Sequence, residues 1–185
     1  MDPDRVRELR GVLIGGLERS EFVVVDYDTG WPTLAAEWMG RVRERLGDTA
    51  LSIEHIGSTS VPGLAAKPII DLLLVVADLE TEDAYVEPLT AAGLHLRVRE
   101  PGHRMLRTAE RDVHLHVLPP DAQQERDYLA LRDWLRVSPE DRKLYASTKR
   151  RLAERSWTDM NFYADAKTDT VLAILGRAHA WRARQ

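Results

Sequence analysis

Residues 54–76 read Glu-His-Ile-Gly-Ser-Thr-Ser-Val-Pro-Gly-Leu-Ala-Ala-Lys-Pro-Ile-Ile-Asp-Leu-Leu-Leu-Val-Val. Two short apolar runs flank a loop of glycine, hydroxyl and other small residues, the pattern of a strand, a turn and a second strand. The second run is apolar on both parities, Ile69, Leu73 and Val75 on one and Ile70, Leu72, Leu74 and Val76 on the other, so both faces of that strand are expected to be covered. Asp71 stands inside this run. A carboxylate there is costly unless it is paired, and a metal ion is one such partner.

Outward from this pair, Trp31, Leu34, Ala35, Trp38, Met39, Val42 and Leu46 recur at helical spacing, with Pro32 in the first turn and Gly47 at the exit, which predicts an amphipathic helix with both tryptophans in the core. Residues 4–19 suggest a short helix weakened by Gly11, Gly15 and Gly16. The β-branched run of Glu21 to Tyr27 suggests a strand ended by Asp28-Thr29-Gly30. On the other side, Thr81 to Ala92 reads as a helix closed by Gly93, Leu94 to Arg99 as a strand, and His103 to Thr108 as its hairpin partner across Pro101-Gly102. Asp112 to Leu118 alternates, with Val113, Leu115 and Val117 on a core face and Asp112, His114 and His116 on a polar one. From Asp121 onward the pattern is helical. Ser138-Pro139-Glu140-Asp141 opens one helix, and Val171, Ile174, Leu175, Ala178 and Trp181 set the last. The expectation is a mixed α/β or α+β fold: a mixed sheet of about five strands followed by a helical C-terminal third.

The chain has 185 residues, 44% of them hydrophobic, and no composition shift marks a linker, so one domain over residues 1–185 is expected, with residues 1–20 as a candidate peripheral segment. With no cysteine there are no disulfides and no thiolate metal sites. The N-terminus has no basic start followed by an apolar core, and no apolar run reaches the length of a membrane span, so a cytoplasmic protein without membrane attachment is expected. A net charge of -4 argues against general nucleic-acid binding. Residues 132–155 hold eight basic and four acidic side chains, however, and Lys149 and Lys167 lie four residues after Tyr145 and Tyr163, so each pair shares a helix face. Such a face suits a base or an anion at a cleft wall, and equally a packed tyrosine beneath a solvated lysine. P-loop, Rossmann and His-Glu-x-x-His motifs are absent, and no Gly-x-Ser-x-Gly elbow supports a serine nucleophile.

The run from His55 to Asp71 resembles the signature of the GrpB family, a branch of the nucleotidyltransferase superfamily with a polymerase-β-like fold. Val25-Asp26-Tyr27-Asp28 with Trp31-Pro32, His114-Leu115-His116-Val117, Tyr145 with Lys149 and Leu152, and Tyr163 with Lys167 extend the resemblance over residues 21–180. It implies a Gly-Ser turn, Gly57-Ser58, that cradles a nucleoside triphosphate, with twelve residues between Ser58 and an acid, Asp71, that holds divalent metal while a small-molecule acceptor receives the nucleotide. Thr59, Ser60, Lys67, Lys149 and Lys167 are further candidates for the nucleotide. The superfamily's second acid, two residues after the first, is replaced here by Leu73. The expected metal site is therefore single or altered, Asp71 with His114 or His116 and with His55 or Glu54 nearby, and the histidines widen the choice from Mg²⁺ toward Mn²⁺ or Zn²⁺.

Each residue also has a purely structural reading. Asp71 can be satisfied by loop amides, His114 and His116 can be ordinary polar positions of an exposed sheet face, and Ser58, Thr59, Ser60 and Pro62-Gly63 can simply shape the turn. Two functions follow. One is metal-dependent transfer of a nucleoside monophosphate to a small acceptor. The other is a non-catalytic nucleotide- or anion-binding module that helps a partner protein, such as the dephospho-CoA kinase to which some family members are fused.

Overall fold

The computed structural model describes residues 3–18 and 23–185. Five strands form one mixed sheet: β1 (Ser52–Ile56), β2 (Ile70–Val75), β3 (His95–Glu100), β4 (His103–Arg107) and β5 (Val113–Leu118), in the order β1-β2-β5-β4-β3. Only β2 and β5 run parallel; the other pairs are antiparallel. The register sets Ile56 opposite Asp71, Asp71 opposite His114, and His114 opposite Arg107. One row of side chains thus crosses four strands on a single sheet face.

The other face carries the main core. Ile70, Leu72 and Leu74 of β2, Val113, Leu115 and Val117 of β5 and Leu106 of β4 pack beneath α2 (Trp31–Leu46) and α3 (Val86–Ala91). The alternation of β5 and the helical spacing of Trp31, Ala35, Val42 and Leu46 thus meet across one layer. On the Asp71 face the cover is divided. At one end Ile56, Leu73 and Leu118 pack under Tyr128 and Leu129 of α4 (Gln123–Val137). At the other, Val98 and Met105 pack under Leu9 and Leu13, from α1 (Pro3–Val12) and the residue after it, together with Phe162 of α6 (Met160–Asp165). Between these two caps the face is open.

The loop between β1 and β2 is fixed by a core of its own. Val61 and Leu64 pack against Leu135 of α4, Tyr145 of α5 (Pro139–Ala153) and Ile174 of α7 (Thr168–Arg182). Ser138 caps α5 by accepting from the Asp141 amide, as its sequence predicts.

Three expectations need correction. The helix expected over residues 4–19 ends at Val12, because Gly15 and Gly16 take φ of +87° and +73°, outside the right-handed helix; Leu13 bridges to Val98 instead, and residue 19 lies outside the described residues. The strand expected over Glu21 to Tyr27 is a single bridge, Val25 to Ala66, which ties this segment to the loop and not to the sheet; Glu21 and Phe22 lie outside the described residues. The helix expected over Thr81 to Ala92 begins only at Val86, after a short turn at Glu82–Ala84. Pro88 then falls in the first turn, where its missing N–H breaks no intrahelical bond.

Candidate functional site

The open part of the sheet face is the floor of a cleft of about 1120 Å³, walled by Gly57-Ser58, α4, α5, α6 and the start of α7. Asp71 lies on the floor with 28% of its side chain exposed. Its Oδ1 is 3.6 Å from His114 Nδ1 and 3.8 Å from His116 Nε2. Burial would raise this carboxyl, but the two histidines outweigh burial and hold it well below the usual carboxylate range. Among the described residues, no cluster of three or more His, Asp or Glu side chains stands ready-made for a metal ion.

Gly57 has φ +69°, and a Cβ there would come within 2.9 Å of the Asp71 Cβ and overlap the carboxylate. Glycine is thus required twice, by its backbone conformation and by its contact with Asp71. The next three residues divide. Ser58 lines the cleft and accepts from Lys149 Nζ at 2.8 Å. Thr59 and Ser60 are buried and turn inward: Thr59 Oγ1 donates to the Ile69 carbonyl at 3.1 Å, and Ser60 Oγ to the Gly57 carbonyl at 2.6 Å. They shape the turn, as their structural reading has it. His55 pairs in register with Leu72 and so sits on the opposite sheet face from Asp71, where its Nε2 is 3.0 Å from Thr59 Oγ1. Glu54 binds Arg132 at 2.8 Å. Neither joins Asp71.

The lysines do converge. Lys149 is 3% exposed and is held by Ser58, by the Ala65 carbonyl and by the Tyr145 ring 4.6 Å from its ammonium. Lys67 lies 3.3 Å from the Tyr163 ring centroid, and Lys167 lies 4.8 Å from that ring and 5.9 Å from Tyr145. The two tyrosines are therefore packed aromatic supports for three ammonium groups. Burial, and after it the charge of Lys167, lowers Lys67 to about 6 and Lys149 to about 7.

The sequence did not reveal what holds His116. Its ring stacks on His103 with centroids 5.3 Å apart, His103 Nε2 lies 3.0 Å from His116 Nδ1, and His103 Nδ1 lies 2.6 Å from Glu100 Oε1. Burial and the neighbouring His116 lower His103 to about 4, so its ring is neutral near pH 7. One of the two facing nitrogens of His103 and His116 therefore donates to the other, which fixes the orientation of the His116 ring beside Asp71. Nor did the sequence reveal the arginines at the far end of the cleft, Arg97, Arg107 and Arg111, gathered around Glu18.

The model of the GrpB protein family matches residues 21–177. The chain belongs to the GrpB family. Among its relatives, a UPF0157 protein of Streptomyces coelicolor is 51% identical over 170 residues, covering 92% of this chain and 91% of that one. A UPF0157 protein of Halalkalibacterium halodurans is 43% identical over 183 residues, covering 96% and 94%. A dephospho-CoA kinase of Mycolicibacterium paratuberculosis is 29% identical over 89% of this chain but only 48% of its own. The crystal structure of conserved protein GrpB from Enterococcus faecalis superimposes with a TM-score of 0.75 at 32% identity, covering 84% of this chain and 96% of that one. A cytoplasmic RNA terminal U-transferase superimposes at TM-score 0.50 and 17% identity, covering 71% of this chain and 42% of that one. The sheet and its flanking helices thus have the nucleotidyltransferase-like fold that the family resemblance implies.

Proposed function

We propose that this GrpB-family chain binds a nucleoside triphosphate across Gly57-Ser58 and transfers its nucleoside monophosphate to a small acceptor with the help of a divalent metal. The observation that carries this reading is the meeting of Ser58, Lys67, Lys149 and Lys167 with Asp71 in one cleft. Three ammonium groups converge here, two of them lowered toward neutrality by burial and by the neighbouring Lys167 charge, and a polyanion would offset that mutual repulsion. Ser58 and the Gly57 backbone lie where phosphate oxygens would meet amide and hydroxyl donors. Asp71 would anchor the metal, with His116 and His114 beside it and the nucleotide's own phosphates and water completing the shell. When bound, the metal would neutralise phosphate charge and align the attacking and leaving oxygens. The chain's own part is to hold the phosphates against Lys149 and Ser58, keep Asp71 ionised, and keep the floor dry through Leu73 and Tyr128.

Calorimetric titration of chelator-treated protein with each nucleoside triphosphate, alone and with Mg²⁺, Mn²⁺ or Zn²⁺, tests this. Metal-dependent binding is expected, weakened by more than about tenfold in Asp71→Asn, the loss of a charged ligand to the ion. Absence of nucleotide binding under every condition overturns the reading.

A second reading is favoured by Leu73. Where the superfamily resemblance implies a second acid, this residue is fully buried with Ile56 and Leu118 under Tyr128 and Leu129. A chain that kept the anion pocket but not turnover would act through a partner, and the similarity to part of a dephospho-CoA kinase suggests a CoA-pathway kinase. Partner capture unchanged in Asp71→Asn, with no turnover in either protein, is the outcome that selects this reading.

A further inference from the structure

The arginine cluster at the far end of the cleft is not needed by the nucleotide site. Arg107 Nη2 lies 2.8 and 2.7 Å from the two carboxylate oxygens of Glu18, Arg111 Nη2 lies 3.2 Å from Oε2, and Arg97 Nη1 lies 3.8 Å from Oε1. Arg97 is 5% exposed and is anchored by the Ile14 and Gly16 carbonyls. Arg111 is one of two non-glycine residues with positive φ among the described residues, at +62°, a conformation that costs on the order of 1 kcal/mol and that places its guanidinium over the same carboxylate. Three guanidiniums therefore meet one carboxylate. Of the other acids at this end, Asp112 accepts from Thr108, and Asp159 accepts from the Glu18 amide and from Asn161. Glu110 lines the cleft as well, and Asp159 acts on Arg97 only through its charge at longer range, so among the described residues Glu18 is the acid that pairs directly with the guanidiniums. Burial would raise Glu18, but Arg107, Arg97 and Arg111 together hold it below the usual range.

Glu18 is not part of the sheet. It hangs on a strap that leaves β3 at the Leu13 to Val98 bridge and turns through Gly15 and Gly16, both at positive φ. Its carboxylate reaches the arginines from outside, as a ligand would. Arg107 is the cross-strand neighbour of His114, itself the neighbour of Asp71, so the cluster lies two strand spacings, roughly 10 Å, from Asp71 along one sheet face. That separation suits a small molecule whose other end reaches the floor of the cleft.

We infer that Arg107 and Arg111, with Arg97 behind them, form a second oxyanion site for the phosphate or carboxylate group of a small ligand, and that Glu18 occupies this site as an intramolecular stand-in that the ligand displaces. Planar guanidiniums in a fork recognise either group by paired N–H donation. The site itself stands without the nucleotide reading; on that reading its ligand is the small acceptor. A tethered carboxylate competes at high effective concentration, so native affinity is modest and removal of its charge raises it.

The test uses the full chain without nucleotide or metal, titrated calorimetrically with inorganic phosphate and with acetate at matched ionic strength. Glu18→Gln is expected to bind one or both anions about tenfold more tightly than the native chain, and Glu18→Gln/Arg107→Gln to lose that gain. The stronger of the two anions identifies the ligand group. Arg107→Gln in the otherwise native chain is expected to weaken binding, and it is informative even where Glu18→Gln does not fold. Equal affinity in native, Glu18→Gln and Arg107→Gln chains overturns the inference. So does a gain that persists without Arg107, which would place the anion on the lysines. Failure of nucleotide to bind leaves each of these outcomes readable.

Discussion

Gly57 is the residue where chain geometry and site chemistry are hardest to separate. Its positive φ turns the backbone out of β1, and its lack of a side chain lets Asp71 pack directly against it. Gly57→Ala adds a methyl group into the carboxylate and forces an L-residue into a left-handed conformation, so a loss of roughly 2–4 kcal/mol is expected. Urea unfolding reads this as a lower midpoint with unchanged slope. Because the methyl displaces the carboxylate, metal-dependent nucleotide binding should fall as well. A variant of native stability would show that the turn relaxes freely and does not set the position of Asp71. Leu73 tells the complementary story: the same strand that exposes Asp71 to the cleft buries its next same-face residue under α4, so the site has one carboxylate from this strand.

At the scale of elements, the site depends on how the C-terminal helices hold the β1–β2 loop. Asp141 of α5 accepts from Arg177 of α7 at 2.8 and 2.7 Å and from Trp134 of α4 at 2.6 Å, joining three helices through one buried carboxylate. Asp141→Ala is expected to cost roughly 2–3 kcal/mol, the range of hydrogen bonds to a charged group, because the half-exposed Arg177 keeps water as a partner. Arg177 first, then Trp134 against the cost of burial, holds Asp141 below its ordinary value. Its contribution is therefore present above the unfolded carboxyl pKa, about 3.9, and is lost as pH falls below it. An acid unfolding midpoint that is the same in Asp141→Ala and the native chain would contradict this. The elements themselves were largely legible: the parity of β5 put His114 and His116 on the face opposite Val113 and Leu115, which is where Asp71 needs them. The place of His55 was not, because the long β1–β2 connection leaves the register open, and only the pairing of Ile56 with Asp71 sends His55 to the other face. The roles of Thr59 and Ser60 hung on side-chain bonds to backbone carbonyls, for which a hydroxyl-rich loop gives no direction. The arginine cluster joins residues separated by 79 to 93 positions, a contact without local periodicity.

The cation pocket belongs to the molecule as a whole, since Lys67 precedes β2, Lys149 lies in α5 and Lys167 caps α7. No single element makes it, and it forms only when loop, sheet and helices have docked. Its protonation therefore links folding, pH and binding. Unfolded lysines hold their protons to about 10.4, whereas Lys67 and Lys149 in the fold release theirs near 6 and near 7. Between these values the unfolded chain binds more protons, so stability rises with pH, by at most about 1.4 kcal/mol per unit for the deeply buried Lys149. The penalty is fully present below the folded value and disappears above the unfolded one. An anion in the pocket restores the ammonium charge, so its binding must take up protons where the free lysines are neutral. Nucleotide or inorganic triphosphate titrated at about pH 8 in two buffers of different ionisation enthalpy is expected to show net proton uptake, with affinity falling as pH rises above about 7. Lys149→Met should lose most of that uptake. Affinity that stays flat from about pH 6.5 to 9 would mean that the lysines remain charged without a ligand, and that the pocket is not waiting for a polyanion.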